Sequence, residues 1–363
     1  MVFRHAEPLD LGGLPDEEKE VLRTDFSYKR TINDLVSEGR AAAKGTSCYY
    51  CGKSTSSFCN SHSIPAFCLR NIATNGQVLT PNVMIDFPLL DTEKGVNKAG
   101  TFQIICRECD SSIFSDYENP ENYTTLPTPT MIAQIALKNA LRAIAKRKLE
   151  IEFFNAGYKK FRKNKEFFDL KNGVNELDLA EYTSDFNRAK KAIEKKRTDD
   201  YRLCFFEILN YVAPIAFQGE IALVFDFDGN IINNVYNPTP EYKVKNIHLC
   251  VFPLETHTAI IMFVDSENNR YRKFVKQFNK FTLDDKLAAL TFIMFTYSED
   301  VFFSKGIQEI VANDPALCAA SRSSQDVYSS HYDVDPYEVI KPNYDLEKRR
   351  SIPNLLSEKY KLR

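Results

Sequence analysis

Two Cys-x-x-Cys pairs, Cys48/Cys51 and Cys106/Cys109, lie on either side of a histidine in the run Asn60-Ser61-His62-Ser63-Ile64-Pro65. Thiolates two residues apart can turn through one tight knuckle and place both sulfurs on one ion, and two knuckles complete a tetrahedral zinc site. Gly52 follows the first pair, where a left-handed turn suits glycine. The spacing therefore predicts a structural Zn2+ on Cys48, Cys51, Cys106 and Cys109, a site that fastens His62 beside Asp110. No other feature limits the possible folds as tightly.

The remaining cysteines fit the same picture. Nine in a long chain is an odd number, which argues against a disulfide framework. Cys59, Cys68, Cys204, Cys250 and Cys318 sit among apolar neighbours and read as inert core thiols. No window approaches eighteen apolar residues and the N-terminus lacks an apolar signal core, so we expect a cytoplasmic protein without a membrane partner. With 363 residues, 44% of them hydrophobic, the chain can bury a large core divided into two or three structural units. The net charge of -2 makes the whole molecule no obvious nucleic-acid binder, but Lys138 to Arg197 carries seventeen Lys or Arg against nine Asp or Glu. That stretch reads either as a phosphate-facing surface or as a pair of solvated helices.

Taken in order, residues 1–45 form a polar segment with helical patches near Glu17 to Arg30 and Thr31 to Ala43, and His5 reads as a surface residue. A zinc module follows over 46–124: a strand-like run delivers His62, Pro65 opens a helix ending near Gly76, and Gln77 to Gly100 reads as an extended insertion. Thr101 to Ile105 is a strand running into the second knuckle. A helix from Asp110 through Glu118 would put Asp110, Phe114 and Glu118 on one face, with Asp110 also suited to cap it. A Pro/Thr linker, Thr124 to Thr130, leads to a basic helical segment over 131–210. Its helices run from about Met131 to Phe154 and from about Leu177 to Leu209, and Lys138, Arg142 and Lys146 recur at i+4 as candidate nucleic-acid contacts. Residues 211–313 read as β-rich, with strands joined by an Asp228-Gly229 turn, and 314–363 as a tail wrapping the surface.

The order strand, strand, helix, pinned by four cysteines with a histidine on the first strand, resembles the HNH endonuclease superfamily, the ββα-metal nucleases, in its zinc-stabilised treble-clef branch. There the histidine of a [D/E]-H-x-x-P motif is similar to His62 in SHSIP, and the residue after the last cysteine, usually Asn or His, falls on Asp110. The longer pattern SHSIP, RNIATNG, AGTFQIICRECDSSIF looks like a group of bacterial HNH-like proteins found with phage-defence genes. The resemblance covers about seventy residues and departs from the family at Ser61, where an acidic residue is expected, and at Asp110. It implies a treble-clef ββα-metal module, and with the basic helical segment and the mainly antiparallel β-rich domain read from the residues the chain is expected to be an α+β protein.

It also implies an endonuclease acting on duplex DNA. His62 would be the general base, and Asp110 with Glu118 would hold a catalytic Mg2+ or Mn2+ while the zinc stays structural. The β-rich part would serve a protein partner or a homo-oligomer. Ser61 supports the alternative, a zinc-stabilised nucleic-acid- or protein-binding module without hydrolytic activity. Val224 to Asn230, VFDFDGN, mimics the aspartate motif of haloacid-dehalogenase phosphatases, but Asn230 replaces the threonine and a return strand follows, so a hairpin turn is the simpler reading. His248 and His257 read as satisfied sheet residues and His331 as part of the tail.

Overall fold

The computed structural model describes residues 26–85, 91–161, 165–323 and 335–363. Residues 17–25 of the first helical patch, His5 and His331 lie outside the described residues, while residues 26–30 belong to the first helix. The chain is mixed α+β with antiparallel sheets. Its first half runs α1 (Phe26–Ala43), β1 (Ser61–His62), α2 (Ala66–Ile72), β2 (Gln77–Leu79), α3 (Asn82–Ile85), β3 (Glu93–Gly95), β4 (Thr101–Phe102) and α4 (Arg107–Ile113). Two long helices, α5 (Pro129–Phe161) and α6 (Lys165–Glu194), precede β5 (Tyr201–Leu209), β6 (Ile215–Ile221), β7 (Ile247–Pro253) and β8 (Thr258–Asp265). Then come α7 (Arg272–Phe278), α8 (Leu283–Tyr297), β9 (Phe302–Phe303), α9 (Gln308–Asn313), α10 (Pro315–Ser323) and α11 (Pro336–Tyr344).

Seven strands form one sheet in the order β3-β2-β9-β6-β7-β8-β5. Strand β7 is buried at every residue because both faces are covered, which is why IHLCVFP is a continuous apolar run rather than an alternating one. One face, with Ile260, Met262 and Val264, packs against α7, α8 and the C-terminal segment. The other, with Ala259, Ile261 and Phe263, packs against α2, α5 and the cysteine-bearing module. Thr128 caps α5 by accepting from the Met131 N–H, and Pro129 takes the first helical position, where no N–H is needed.

Several elements differ from the sequence expectations, each for an identifiable reason. Residues 201–209 are a strand and not the end of a helix. Lys196, at φ +49, closes α6 in the left-handed conformation, the Arg197 N–H reaches back to the Ala192 carbonyl, and the aromatic-rich run then pairs with β8. Gln77 to Gly100 is not a bare insertion: β2 and β3 extend the large sheet through β9, joining the cysteine-bearing region to the β-rich part. The helix after the second knuckle begins at Arg107, with Cys106 and not Asp110 at its N-cap, and stops at Ile113. The Asp228-Gly229 turn is present, with Gly229 at φ +76, but the segments beside it share only the single bridge Phe225↔Ile231. Beyond Asn313 the chain does more than wrap the surface, because Leu317, Leu346, Leu355 and Leu356 are fully buried.

Candidate functional site

The four cysteine sulfurs of the two knuckles lie within 4.8 Å of one another, a set that could hold a zinc ion. The first knuckle closes through the Gly52 N–H on the Cys48 carbonyl, with Gly52 at φ +72. The second closes as the first turn of α4, through the Asp110 N–H on the Cys106 carbonyl. Burial disfavours the Cys48 thiolate, but N–H groups of Cys51, Cys106 and Tyr50 overcome it and bring the thiol down to about 7. Burial and the neighbouring sulfurs push Cys109 the other way. A divalent ion on the four sulfurs would favour their thiolate forms.

The knuckle is also fastened from outside. The Tyr49 ring meets Phe186 of α6 edge-on at 4.9 Å, its hydroxyl lies 3.2 Å from Thr183 Oγ1, and Lys190 Nζ donates to the Tyr50 carbonyl at 2.7 Å.

Strand β1 is only Ser61 and His62, paired with β4 in the register Ser61↔Phe102 and His62↔Thr101. Successive side chains of a strand leave on opposite sides. Ser61 is fully buried and its hydroxyl donates to Asp110 Oδ1 at 2.6 Å. Half-buried His62 instead places Nε2 3.0 Å from the Val96 carbonyl, on the loop after β3. A carbonyl only accepts, so Nε2 donates, which in the neutral tautomer leaves Nδ1 as the lone-pair nitrogen. His62 and Asp110 therefore have different partners.

Asp110, Phe114 and Glu118 do converge, although α4 ends before two of them, and they converge on Lys138. This α5 lysine is 0% exposed. Its ammonium lies 2.9 Å from Ser61 Oγ, 3.0 Å from Asp110 Oδ1, 3.0 Å from Glu118 Oε1 and 3.6 Å from the Phe114 ring centroid. Three oxygens match the three donors of an ammonium, and the ring face takes the remaining side. Burial works against the Asp110 carboxylate, but Lys138, the Ser61 hydroxyl and the Cys59 thiol together hold it below the usual range. Cys59, which donates to Asp110 Oδ2 at 3.2 Å, is pushed up to about 11 by burial and by that carboxylate.

The basic row on α5 is paired with carboxylates. Lys138 is sealed beneath the module, while Arg142 and Lys146 both pair with Asp300, Lys146 at 3.3 Å. Lys138 is buried and so offers no surface to a phosphate backbone, whereas Arg142 and Lys146 remain partly exposed beside Asp300. The pairing missed by sequence reasoning is Ser61 with Lys138, 77 positions apart. Its only sequence signal was the small hydroxyl residue standing where a carboxylate was expected.

Next along α5, Asn139 joins the sheet: its amide nitrogen lies 3.1 Å from His248 Nδ1, and Gln218 donates to its oxygen at 2.9 Å. Burial pushes His248 down to about 3, so its ring is neutral, stacked on Phe263 at 4.5 Å. Asp226 holds a turn. Its Oδ1 accepts from the N–H groups of Asp228 and Asn230 and from the Asn230 amide, while Oδ2 faces Lys273 at 3.3 Å. A carboxylate so engaged is a turn anchor. Comparison of the chain with protein-family models, curated proteins and solved structures finds no match.

Proposed function

We propose that this chain is a zinc-stabilised, HNH-like binding module in which a lysine ammonium stands where the hydrolytic metal of the resembled nucleases would stand. The observation that carries the reading is Lys138 Nζ, fully enclosed by Ser61, Asp110, Glu118 and the Phe114 ring. An Mg2+ ion needs oxygens at about 2.0–2.1 Å and retains several waters. Beside an ammonium about 4 Å away it would meet a repulsion of about 8 kcal/mol at an effective dielectric of 20. A charge-assisted hydrogen bond returns about 1.5–3 kcal/mol, so the ammonium keeps the place. Four cysteines hold the zinc, and the zinc holds the module that Lys138 locks to α5. With Lys138 buried and Arg142 and Lys146 paired with Asp300, the cations that stand open to a nucleic acid or an acidic protein include the exposed Lys159, Lys160, Lys191, Lys195 and Lys196.

One observation favours the nuclease as a second reading. His62 Nε2 is anchored on a main-chain carbonyl, which aims a free Nδ1 as a general base requires. Zinc-loaded protein incubated with supercoiled plasmid and Mg2+ or Mn2+, beside His62→Ala, separates the two. The binding reading predicts no nicking by either protein. Metal-dependent nicking by the parent that is lost in His62→Ala would overturn it in favour of the nuclease.

A further inference from the structure

The two edges of the seven-stranded sheet are unlike. Strand β3 is three residues long, with Lys94 at its centre and Gly95 at its end, and so is a short, charged and protected edge. Strand β5, Tyr201–Leu209, is nine residues long, contains no Pro, Gly or Lys, and pairs on one side only, with β8. Among the described residues no main-chain group on its outer side has a main-chain partner. Leu203, Phe206 and Ile208 are only half-buried there.

The strand also carries a two-fold pattern. Its register against β8 slips between Leu203 and Phe205, so Cys204 is an extra residue. Without that bulge Arg202 and Glu207, an odd number of positions apart, would lie on opposite faces. With it, Arg202 sits beside Val264 and Glu207 beside Ile260, both on the face packed by α7 and α8. Tyr201, Leu203, Phe206 and Ile208 lie opposite Asp265, Phe263, Ile261 and Ala259, on the face covered by the long helices. Read outward from the point between Cys204 and Phe205, the two halves of the strand therefore present the same sequence of faces.

We propose that β5 is a homodimerisation edge, pairing antiparallel with β5 of a second copy about a two-fold axis between Cys204 and Phe205. In that register Leu203 faces Phe206 and Tyr201 faces Ile208, each pair on a single face. Arg202 faces Glu207, twice, in reciprocal ion pairs. Neither Arg202 nor Glu207 has an ion-pair partner within the described chain, so both charges are available to the second copy. Such self-complementarity is what an isologous interface requires, and opposite charges directly across an antiparallel pair are favourable where like charges are not.

Sedimentation equilibrium of the zinc-loaded full chain over a concentration series tests this. The parent is expected to dimerise, and Arg202→Glu and Glu207→Arg, each facing like charges twice, to weaken the dimer about ten-fold. The double variant Arg202→Glu/Glu207→Arg restores it, and so does an equimolar mixture of the two single variants, which regenerates both pairs in a heterodimer. Circular dichroism of each variant confirms folding, and the double variant and the mixture report even if a single variant folds poorly. A parent that stays monomeric throughout, or single variants that dimerise as tightly as the parent, or a double variant and mixture that remain weak, would overturn the proposal.

Discussion

Lys138 is worth most to the molecule as a charge that cannot be removed alone. Lys138→Met leaves Asp110 inside the protein facing only a hydroxyl and a thiol, and breaking a buried ion pair from one side typically costs about 3–5 kcal/mol. Chemical denaturation should show a loss of that size for Lys138→Met, with much of it recovered in Lys138→Met/Asp110→Asn. The pH dependence has a definite sign. The folded-state pKa of Asp110 is lowered, so its contribution is complete above the unfolded value of about 3.9 and is lost as pH falls through the folded value. The stability gap between the parent and Asp110→Asn should be constant near neutrality and narrow below about pH 4. A gap that widens on acidification would mean that the carboxylate is not held by the ammonium.

At the scale of elements, the knuckles were legible because the constraint is local: two residues between cysteines and a glycine after the first pair are enough to shape a turn. His62 on β1 was legible for the same reason, through the strand period, whereas Asp110, Phe114 and Glu118 converge although the helix expected to carry all three ends at Ile113. Lys138 was not legible. Its i+4 relation to Arg142 and Lys146 is equally consistent with a solvated face and a buried one, and only the docking of α5 under β1 separates them. The same blindness to distant partners turned β5 into helix, since its strand character depends on β8. Gly100 lies where Ser63, just after β1, meets the chain before β4, its carbonyl accepting from the Ser63 N–H. It sits at φ +62, and a Cβ there would lie 2.6 Å from Ser63 Oγ. Gly100→Ala is expected to lower stability by about 1–3 kcal/mol, read as a fall in melting temperature. An unchanged melting temperature would show that this approach is looser than described.

For the whole molecule, the consequence of β2 and β3 extending the large sheet is that the cysteine-bearing region has no core of its own. Ile64, Leu69, Phe102 and Phe114 share one apolar cluster with Ile135 and Leu141 of α5 and with Phe252 and Ile261 of the sheet. Calorimetry of the zinc-loaded chain should therefore show the module and the sheet unfolding in one transition, and chelation should lower that transition as a unit. Two resolved transitions, only one of them sensitive to chelator, would contradict the shared core. On the proposed reading, Lys138 excludes a second metal from the oxygens of Ser61, Asp110 and Glu118. Titration of zinc-loaded protein with Mn2+, followed by electron paramagnetic resonance, addresses it directly. The Mn2+ signal is expected to stay that of the free ion for the parent chain. Stoichiometric Mn2+ binding to the parent, abolished in Asp110→Asn, would contradict it.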